Sequence, residues 1–306
     1  MTKTNNHIKE KLKEQVSLDI RFDEPLKKHT TFKIGGPADI FITPNNISEL
    51  QKSLKLIKDF KLPLFILGKG SNIIVSDKGV RGIVLNTENL NKIWIEGEDI
   101  ISETGILLAD VAQKSLEASL TGLEFASGIP GSLGGAIYMN AGAYGGMIKD
   151  VIKEAKCLDY EGNEITLSKN QLKLSYRHSI LQEEPLIATQ VRIGLKKGDA
   201  KEIKAKIDDL TDKRWTKQPM EMPSAGSIFK RPEGYYASAL IDEAGLKGLK
   251  VGDAQVSKKH AGFIVNLGNA TAEDVCNLIK KVQNIIYKEK RVKLEVEPRF
   301  IGDFSG

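Results

Sequence analysis

The sequence predicts an α+β protein of more than one domain, on three observations. Its 306 residues are enough for two or three domains with a sizeable core. Its apolar spacing alternates between a period near two and a period near 3.6, the marks of strands and helices. Composition shifts after Trp215, where "TKQPMEMPSAGS" brings two prolines and two methionines together. Hydrophobic residues at 41% and charged residues at 28% are ordinary for a globular chain.

The elements follow in order. "MTKTNNHIKEKLKEQ" is basic with no apolar stretch behind it, so residues 1–17 read as a tail and not as a signal peptide. In "SELQKSLKLIKDF", Ser48 and Gln51 are spaced like a capping box, and Leu50, Leu54 and Ile57 form one helical face. "LPLFILGKGSN" is a buried strand entering a glycine turn. "KIWIEGEDIISETG" and "AKCLDYEGNEITLS" read as hairpins across Gly97 and Gly162. "LLADVAQKSLEASL" is helical, "PLIATQVRIGLKKG" a strand, and "AKEIKAKIDDLTDKRW" an exposed amphipathic helix. Beyond the composition shift come a short helix in "YYASALIDEAG" stopped by Gly245, a strand at "HAGFIVNLG", and a helix from Thr271 to about Lys290. "VKLEVEPRFIG" closes the chain as an extended run.

Composition narrows the function. The net charge of +5 fits a phosphate-bearing small molecule and lacks the concentrated basic face that nucleic acid requires. No segment reaches membrane-spanning length. Cys157 and Cys276 stand far apart without metal-ligand spacing, which argues against a metal site and against a disulfide framework. Both read as small buried residues in a reducing cytoplasm.

The densest signal is "GIPGSLGGAIYMNAGAYGG", Gly128–Gly146. It holds seven of the chain's 28 glycines in nineteen residues and no charged side chain. Glycine costs about 0.5–1 kcal/mol relative to alanine in regular structure, so the concentration points to close backbone approach. Known nucleotide fingerprints do not account for it. "GKGSNI" has Ile73 where a dinucleotide fingerprint has its third glycine, and the long stretch lacks the Lys-Ser/Thr that ends a phosphate-binding loop. Two glycine turns, at Gly68–Asn72 and Gly128–Gly146, can instead present backbone N–H groups to a pyrophosphate. "GKGSN" alone reads equally as a tight turn.

The ordered set "HTTFKIGGPAD", "GKGSN", "GIPGSLGGAIYMNAGAYG", "SYRHS", "SAGSIFKRP", "AQVSKKHAGFIVN" and "LEVEPRFIG" resembles the bacterial UDP-N-acetylenolpyruvoylglucosamine reductase family, from about Leu18 to Ile301. The resemblance implies a two-subdomain FAD-binding fold of the PCMH or vanillyl-alcohol-oxidase kind, followed by a smaller α+β substrate domain. On that plan residues 18–90 and 91–214 are the FAD subdomains, 215–290 the substrate domain, and 291–306 a strand returning to the active site. It implies a cytoplasmic, monomeric enzyme of cell-wall synthesis. On the resemblance, NADPH would reduce FAD, and FAD would reduce UDP-N-acetylglucosamine enolpyruvate; composition leads to the expectation of no metal, nucleic-acid or membrane partner.

The same resemblance implies site residues. Ile34, Gly35 and Gly36, with Gly68, Gly70, Ser71 and Asn72, would form part of the cofactor cradle. Gly128, Pro130, Gly131, Gly134 and Gly135 would wrap its pyrophosphate. Ser71, Asn72, Asn140 and Tyr144 would be the polar side chains nearest the flavin, with Ala141 and Gly142 among the cofactor-binding backbone of the stretch. Arg177 in "SYRHS" would pair with the substrate carboxylate; its guanidinium is permanently charged and forked. Ser227 in "SAGSIF" would protonate the developing carbanion. Alternation along "KLEVEPRF" puts Glu295 and Glu297 on one face and does not choose between them; the family pattern picks Glu297. Lys217, Lys230 and Arg231 would hold substrate. His260 is either a further substrate contact or a packed structural histidine. Arg231 stands where some relatives carry asparagine, so that asparagine's role is not transferred. The chain resembles the branch that lacks an extra tyrosine-bearing loop.

Overall fold

The computed structural model describes residues 6–13 and 18–304. The expected tail, 1–17, lies partly outside them. Within it Asn6–Lys13 is helical and Leu12 is buried. The chain forms two compact units. One comprises Met1–Phe22, Ile40–Lys69 and Gly82–Lys213, the other Asp23–Asp39, Gly70–Arg81 and Arg214–Gly306. The expected 18–90 segment is thus shared between the units. Its loops carry Phe32, Ile34 and Ile74 into the same core as Ile228, Val256 and Leu278.

A four-stranded sheet runs in the order Asp19–Pro25, Pro37–Thr43, Val80–Asn86, Leu64–Leu67, with the last two parallel. Helix Ile47–Lys58 buries Leu50, Leu54 and Ile57, the expected face. Its cap is corrected: Asn46, not Ser48, accepts the Glu49 N–H at 2.9 Å. Asn46 is extended and can turn its side chain onto the helix, whereas Ser48 already lies inside it.

A second sheet, in the first unit, is antiparallel, in the order Glu164–Ser168, Ile152–Asp159, Leu186–Gly194, Asp99–Glu103, Ile93–Glu96. Both expected hairpins are present in it. Glu96 pairs with Asp99, leaving a two-residue turn in which Gly97 has φ +65°. Helices Leu108–Glu117 and Leu133–Tyr138 contribute Leu108, Val111, Leu133 and Ile137 to the core that Val191 and Ile193 of the sheet share. Helix Ala200–Lys217 is exposed along most of its length and buries Ile203. Lys206 on it reaches buried Glu124 at 3.4 Å. Burial would raise that carboxyl's pKa, but bonds from Thr121 Oγ1, the backbone and Lys206 carry it below the usual range.

The second unit is built on the antiparallel sheet Ser224–Ser227, Phe263–Asn266, Ala254–Val256, Lys250–Val251. Helix Ala272–Lys290 has Thr271 as its cap in a full capping box with Asp274, and buries Val275, Leu278, Ile279, Val282 and Ile286. Asp77 adds a second cap, accepting from Ala272 and Glu273 N–H groups at 2.9 and 3.1 Å. Helix Ala237–Glu243 ends before Gly245 at φ +68°. The extended closing run is strand only at Arg299–Ile301, parallel to Ile73–Val75.

Candidate functional site

In the first unit, the start of the glycine stretch bonds to residues 104–108, just past strand Asp99–Glu103. Ser132 caps helix Leu133–Tyr138, its Oγ accepting the Gly135 N–H at 3.3 Å. The N–H groups of Leu133 and Gly134 donate to Ile106 and Thr104 carbonyls at 2.9 and 2.7 Å. The N–H groups of residues 133–135 are thus engaged within the protein. A Cβ on Gly134 would sit 3.2 Å from the Thr104 carbonyl oxygen, so that glycine permits close packing. Gly131, at φ +135°, gives its carbonyl to the Leu108 N–H at 3.0 Å. Gly128 is half-buried; Pro130 and Gly135 are exposed. A Cβ on Gly68 would lie 2.3 Å from Ser132 Oγ. The start of "GKGSN" thus meets the start of the glycine helix.

After the helix, Gly142–Ala143 pairs with Gly146–Met147, leaving Tyr144 and Gly145 as a two-residue turn. Both have positive φ, +52° and +87°, the requirement of a type I′ hairpin. Tyr144 stands at the tip, 49% exposed. A Cβ on Gly142 or Gly146 would collide with the Gly146 carbonyl or the Phe125 ring, so both serve the hairpin itself. Ala141 closes the helix, donating to Ala136 at 2.7 Å and accepting from Ile148 at 3.0 Å.

Asn140 is buried at φ +42°. Its Oδ1 accepts the Lys149 N–H at 2.9 Å, and its Nδ2 donates to the Ser175 carbonyl at 2.8 Å. Its amide therefore serves the fold at both ends. Ser175 and His178 bond to each other through both backbones, at 3.2 and 3.3 Å, closing a turn over Tyr176 and Arg177. Arg177 takes φ +56° there, with its guanidinium 5.3 Å from the Tyr176 ring centre. Gln182 Nε2 donates to the carbonyls of Arg177 and Tyr138 at 3.0 and 2.7 Å.

In the second unit, Gly70 at φ +65° would put a Cβ 2.3 Å from the His29 carbonyl. Its own carbonyl accepts the Thr31 N–H at 3.2 Å. Gly36 is held as closely: a Cβ would lie 2.1 Å from the Asp77 carbonyl. Gly35 has φ +135°, and Ile34 is in the core. Ser71 and Asn72 are half-buried, and the Asn72 carbonyl accepts the Arg299 N–H at 3.0 Å. Thr31, which sequence reasoning did not single out, donates Oγ1 to the Ser224 carbonyl at 2.7 Å. The "HTTF" turn is thereby tied to the strand of Ser227.

That strand carries a bulge. Ser224 pairs with Val265 and Ser227 with Phe263, so the intervening Ala225 and Gly226 face one partner residue. Gly226 has φ +76° with open space where a Cβ would be. A bulge of this kind bends a strand and re-aims the side chain that follows. Ser227 Oγ donates to the Phe229 carbonyl at a long 3.3 Å. Residues 295–297 run antiparallel beside 228–230: Glu297 N–H donates to Ile228 and Lys230 N–H to Glu295, both at 2.9 Å. The structure thus brings Ser227 and Glu297 onto adjoining backbones. It also separates the two glutamates. The Glu295 side chain is 75% exposed and paired with Lys230 at 3.3 Å, while Glu297 is half-buried.

The remaining candidates are dispersed over this unit. Lys217 is exposed at the end of helix Ala200–Lys217. Arg231 stacks over Tyr236 at 4.1 Å. His260 packs edge-on to Phe263 at 5.1 Å, and its Nδ1 accepts the Gly262 N–H at 3.1 Å. Burial, then the Lys247 charge, lowers its pKa; with Nδ1 accepting, Nε2 is the ring's donor. Among the described residues no cluster of three or more His, Cys, Asp or Glu can hold a metal.

Comparison with known proteins adds the following. Residues 38–168 match the model of the "FAD binding domain", and residues 218–301 that of the "UDP-N-acetylenolpyruvoylglucosamine reductase, C-terminal domain". The chain is 52% identical over 285 residues to the UDP-N-acetylenolpyruvoylglucosamine reductase of Alkaliphilus oremlandii, covering 93% of this chain and 94% of that protein. It is 48% identical to that of Caldanaerobacter subterraneus subsp. tengcongensis, covering 97% of each. The crystal structure of the UDP-N-acetylenolpyruvylglucosamine reductase of Thermus caldophilus aligns with a TM-score of 0.80 at 35% identity, over 93% of this chain and 98% of that one.

Proposed function

This chain belongs to the UDP-N-acetylenolpyruvoylglucosamine reductase family, and from that premise we propose that Arg177, Ser227 and Glu297 carry its chemistry. It is a flavoprotein oxidoreductase that converts UDP-N-acetylglucosamine enolpyruvate to UDP-N-acetylmuramate with FAD and NADPH. The described residues fit a flavin: the uncharged 128–146 stretch meets the "GKGSN" turn at Gly68–Ser132, and leaves the Tyr144–Gly145 tip exposed. FAD, when bound, supplies to the terminal enolpyruvyl carbon the hydride that it takes from NADPH.

The new C–H bond displaces the π electrons onto the carbon beside the carboxylate. Arg177, charged at all working pH values, pairs with that carboxylate and offsets the enolate charge. Glu297 assists from beside Ser227, either protonated or by polarising a neighbour; a carboxyl can be tuned to such a role by burial. Ser227 gives its hydroxyl proton to the carbanion, forming the second C–H bond, and regains one from solvent. The single observation that carries this assignment is the bulge at Ala225–Gly226, which sets Ser227 apart from the regular strand next to the backbone of Glu297.

Lys217, Lys230 and Arg231 supply positive charge for the substrate diphosphate, and His260 offers its Nε2–H as a donor. In this reading 18–90 and 91–214 hold the flavin, 215–290 the substrate, and 291–306 completes the site. The protein acts as a cytoplasmic monomer on small molecules, without nucleic-acid or membrane partners. In support, its net charge is only +5, and no described helix is long and apolar enough to cross a membrane. Ser227→Ala tests the assignment. Flavin bleaching by NADPH should persist while product formation falls by about 10²–10⁴-fold. Normal turnover would reject Ser227 as the proton donor.

A further inference from the structure

Arg177 occupies a backbone region that costs a residue with a Cβ about 1–2 kcal/mol. Such conformations persist where surrounding contacts over-determine them. Two side-chain amides, one far upstream and one nearby, meet carbonyls of the turn that holds the strained residue. Asn140 Nδ2 donates to Ser175 at 2.8 Å, and Gln182 Nε2 donates to Arg177 itself at 3.0 Å. Asn140 belongs to the glycine segment, and Gln182 grips it from outside. Asn140 Oδ1 accepts from Lys149 at 2.9 Å, and the second Gln182 bond goes to Tyr138 at 2.7 Å. Ser179 Oγ reinforces the same carbonyl at 2.9 Å. Three of the described non-glycine residues with positive φ, Asn140, Tyr144 and Arg177, fall in this one cluster.

We infer that Asn140 and Gln182 form a two-amide clamp that fixes the Arg177 turn against the end of helix Leu133–Tyr138, making them positioning residues for the arginine. The inference rests on the role assigned to Arg177. An amide suits the task because it offers two N–H donors and a carbonyl acceptor on one rigid plane. A carboxylate of the same shape keeps the acceptors and loses both donors. Asn140 is buried, whereas Gln182 is exposed, so the second can be altered with little risk to folding.

The test uses FAD-loaded Gln182→Glu and Asn140→Asp, each alone and with Arg177→Ala. Titration calorimetry measures UDP-N-acetylglucosamine enolpyruvate binding, and anaerobic stopped-flow measures the NADPH and substrate half-reactions separately. Gln182→Glu should weaken substrate binding about fivefold to tenfold and leave flavin bleaching by NADPH within about twofold. In the Arg177→Ala background the same change should have almost no further effect, because the clamp acts through the arginine. Equal losses in both backgrounds, or equal losses in both half-reactions, would overturn the clamp. If Asn140→Asp fails to fold, the Gln182 cycle decides alone. Failure of the underlying reading looks different: Arg177→Ala by itself would bind and reduce substrate like the parent protein.

Discussion

The two side chains proposed to act on the substrate, Ser227 and Arg177, each depend on a left-handed backbone residue, and they obtain it in opposite ways. Ahead of Ser227 the residue with positive φ is Gly226, which has no Cβ to strain and open space around it. At Arg177 the functional residue itself carries the positive φ, so glycine is not available. The first arrangement is self-contained within four residues. The second needs amides 37 positions upstream and five downstream, at Asn140 and Gln182. The difference teaches that a strained functional residue is held by its surroundings, while a glycine bulge is held by its own freedom.

The comparison can be broken most sharply at the arginine. Arg177→Ala should lower the rate of substrate reduction by about 10²–10³-fold, as loss of one charge-stabilising donor does elsewhere. Arg177→Lys should restore only part, since an ammonium keeps the charge and lacks the planar fork. The same position gives a stability test. Arg177→Gly should exceed Arg177→Ala in stability by about 1 kcal/mol in denaturant unfolding, because only the glycine relieves the backbone. If alanine were the more stable, the turn would not be strained.

Gly226 should show the reverse sign. Gly226→Ala should cost about 1–2 kcal/mol through backbone conformation alone, and Gly226→Asn less, because asparagine tolerates the left-handed region. Equal losses for both would point to crowding, which the open space around Gly226 contradicts. A smaller effect belongs to Gly68, whose Cβ would press on the hydroxyl that caps the glycine helix. Gly68→Ala should weaken FAD retention with little change in far-ultraviolet circular dichroism.

The smallest effect is pH-dependent. The folded pKa of His260 lies below its ordinary value, chiefly through burial. The unfolded chain therefore binds the proton first as pH falls. The His260 contribution is complete above the ordinary value of 6.5 and is lost as pH drops through the folded one. His260→Gln should flatten the fall in Tm between about pH 7 and pH 5. An unchanged slope would remove the histidine from the account of stability.

What the sequence made legible was local. The helix from Thr271 to about Lys290 and the turns at Gly97, Gly162 and Gly245 all lie within one element or one turn, and each formed as read. The ordered motifs also carried the family and the cofactor. What escaped were bonds across the chain. Asp77 caps a helix 195 residues away, Thr31 ties to Ser224, and Asn140 and Gln182 brace Arg177. No spacing rule announces such pairs. The helix at Asn6–Lys13 was missed because its few apolar residues, Ile8 and Leu12, are diluted by lysines. The alternating closing run left Glu295 and Glu297 equivalent; in the fold Glu295 is exposed on a Lys230 ion pair while Glu297 is half-buried.

The most direct measurement is an anaerobic absorbance titration of the FAD-loaded protein, first with NADPH and then with UDP-N-acetylglucosamine enolpyruvate. The account predicts that NADPH bleaches the flavin band and that one equivalent of substrate restores it, with UDP-N-acetylmuramate as the product. Bleaching without recovery would contradict the substrate, and a protein that cannot be loaded with FAD would contradict the enzyme.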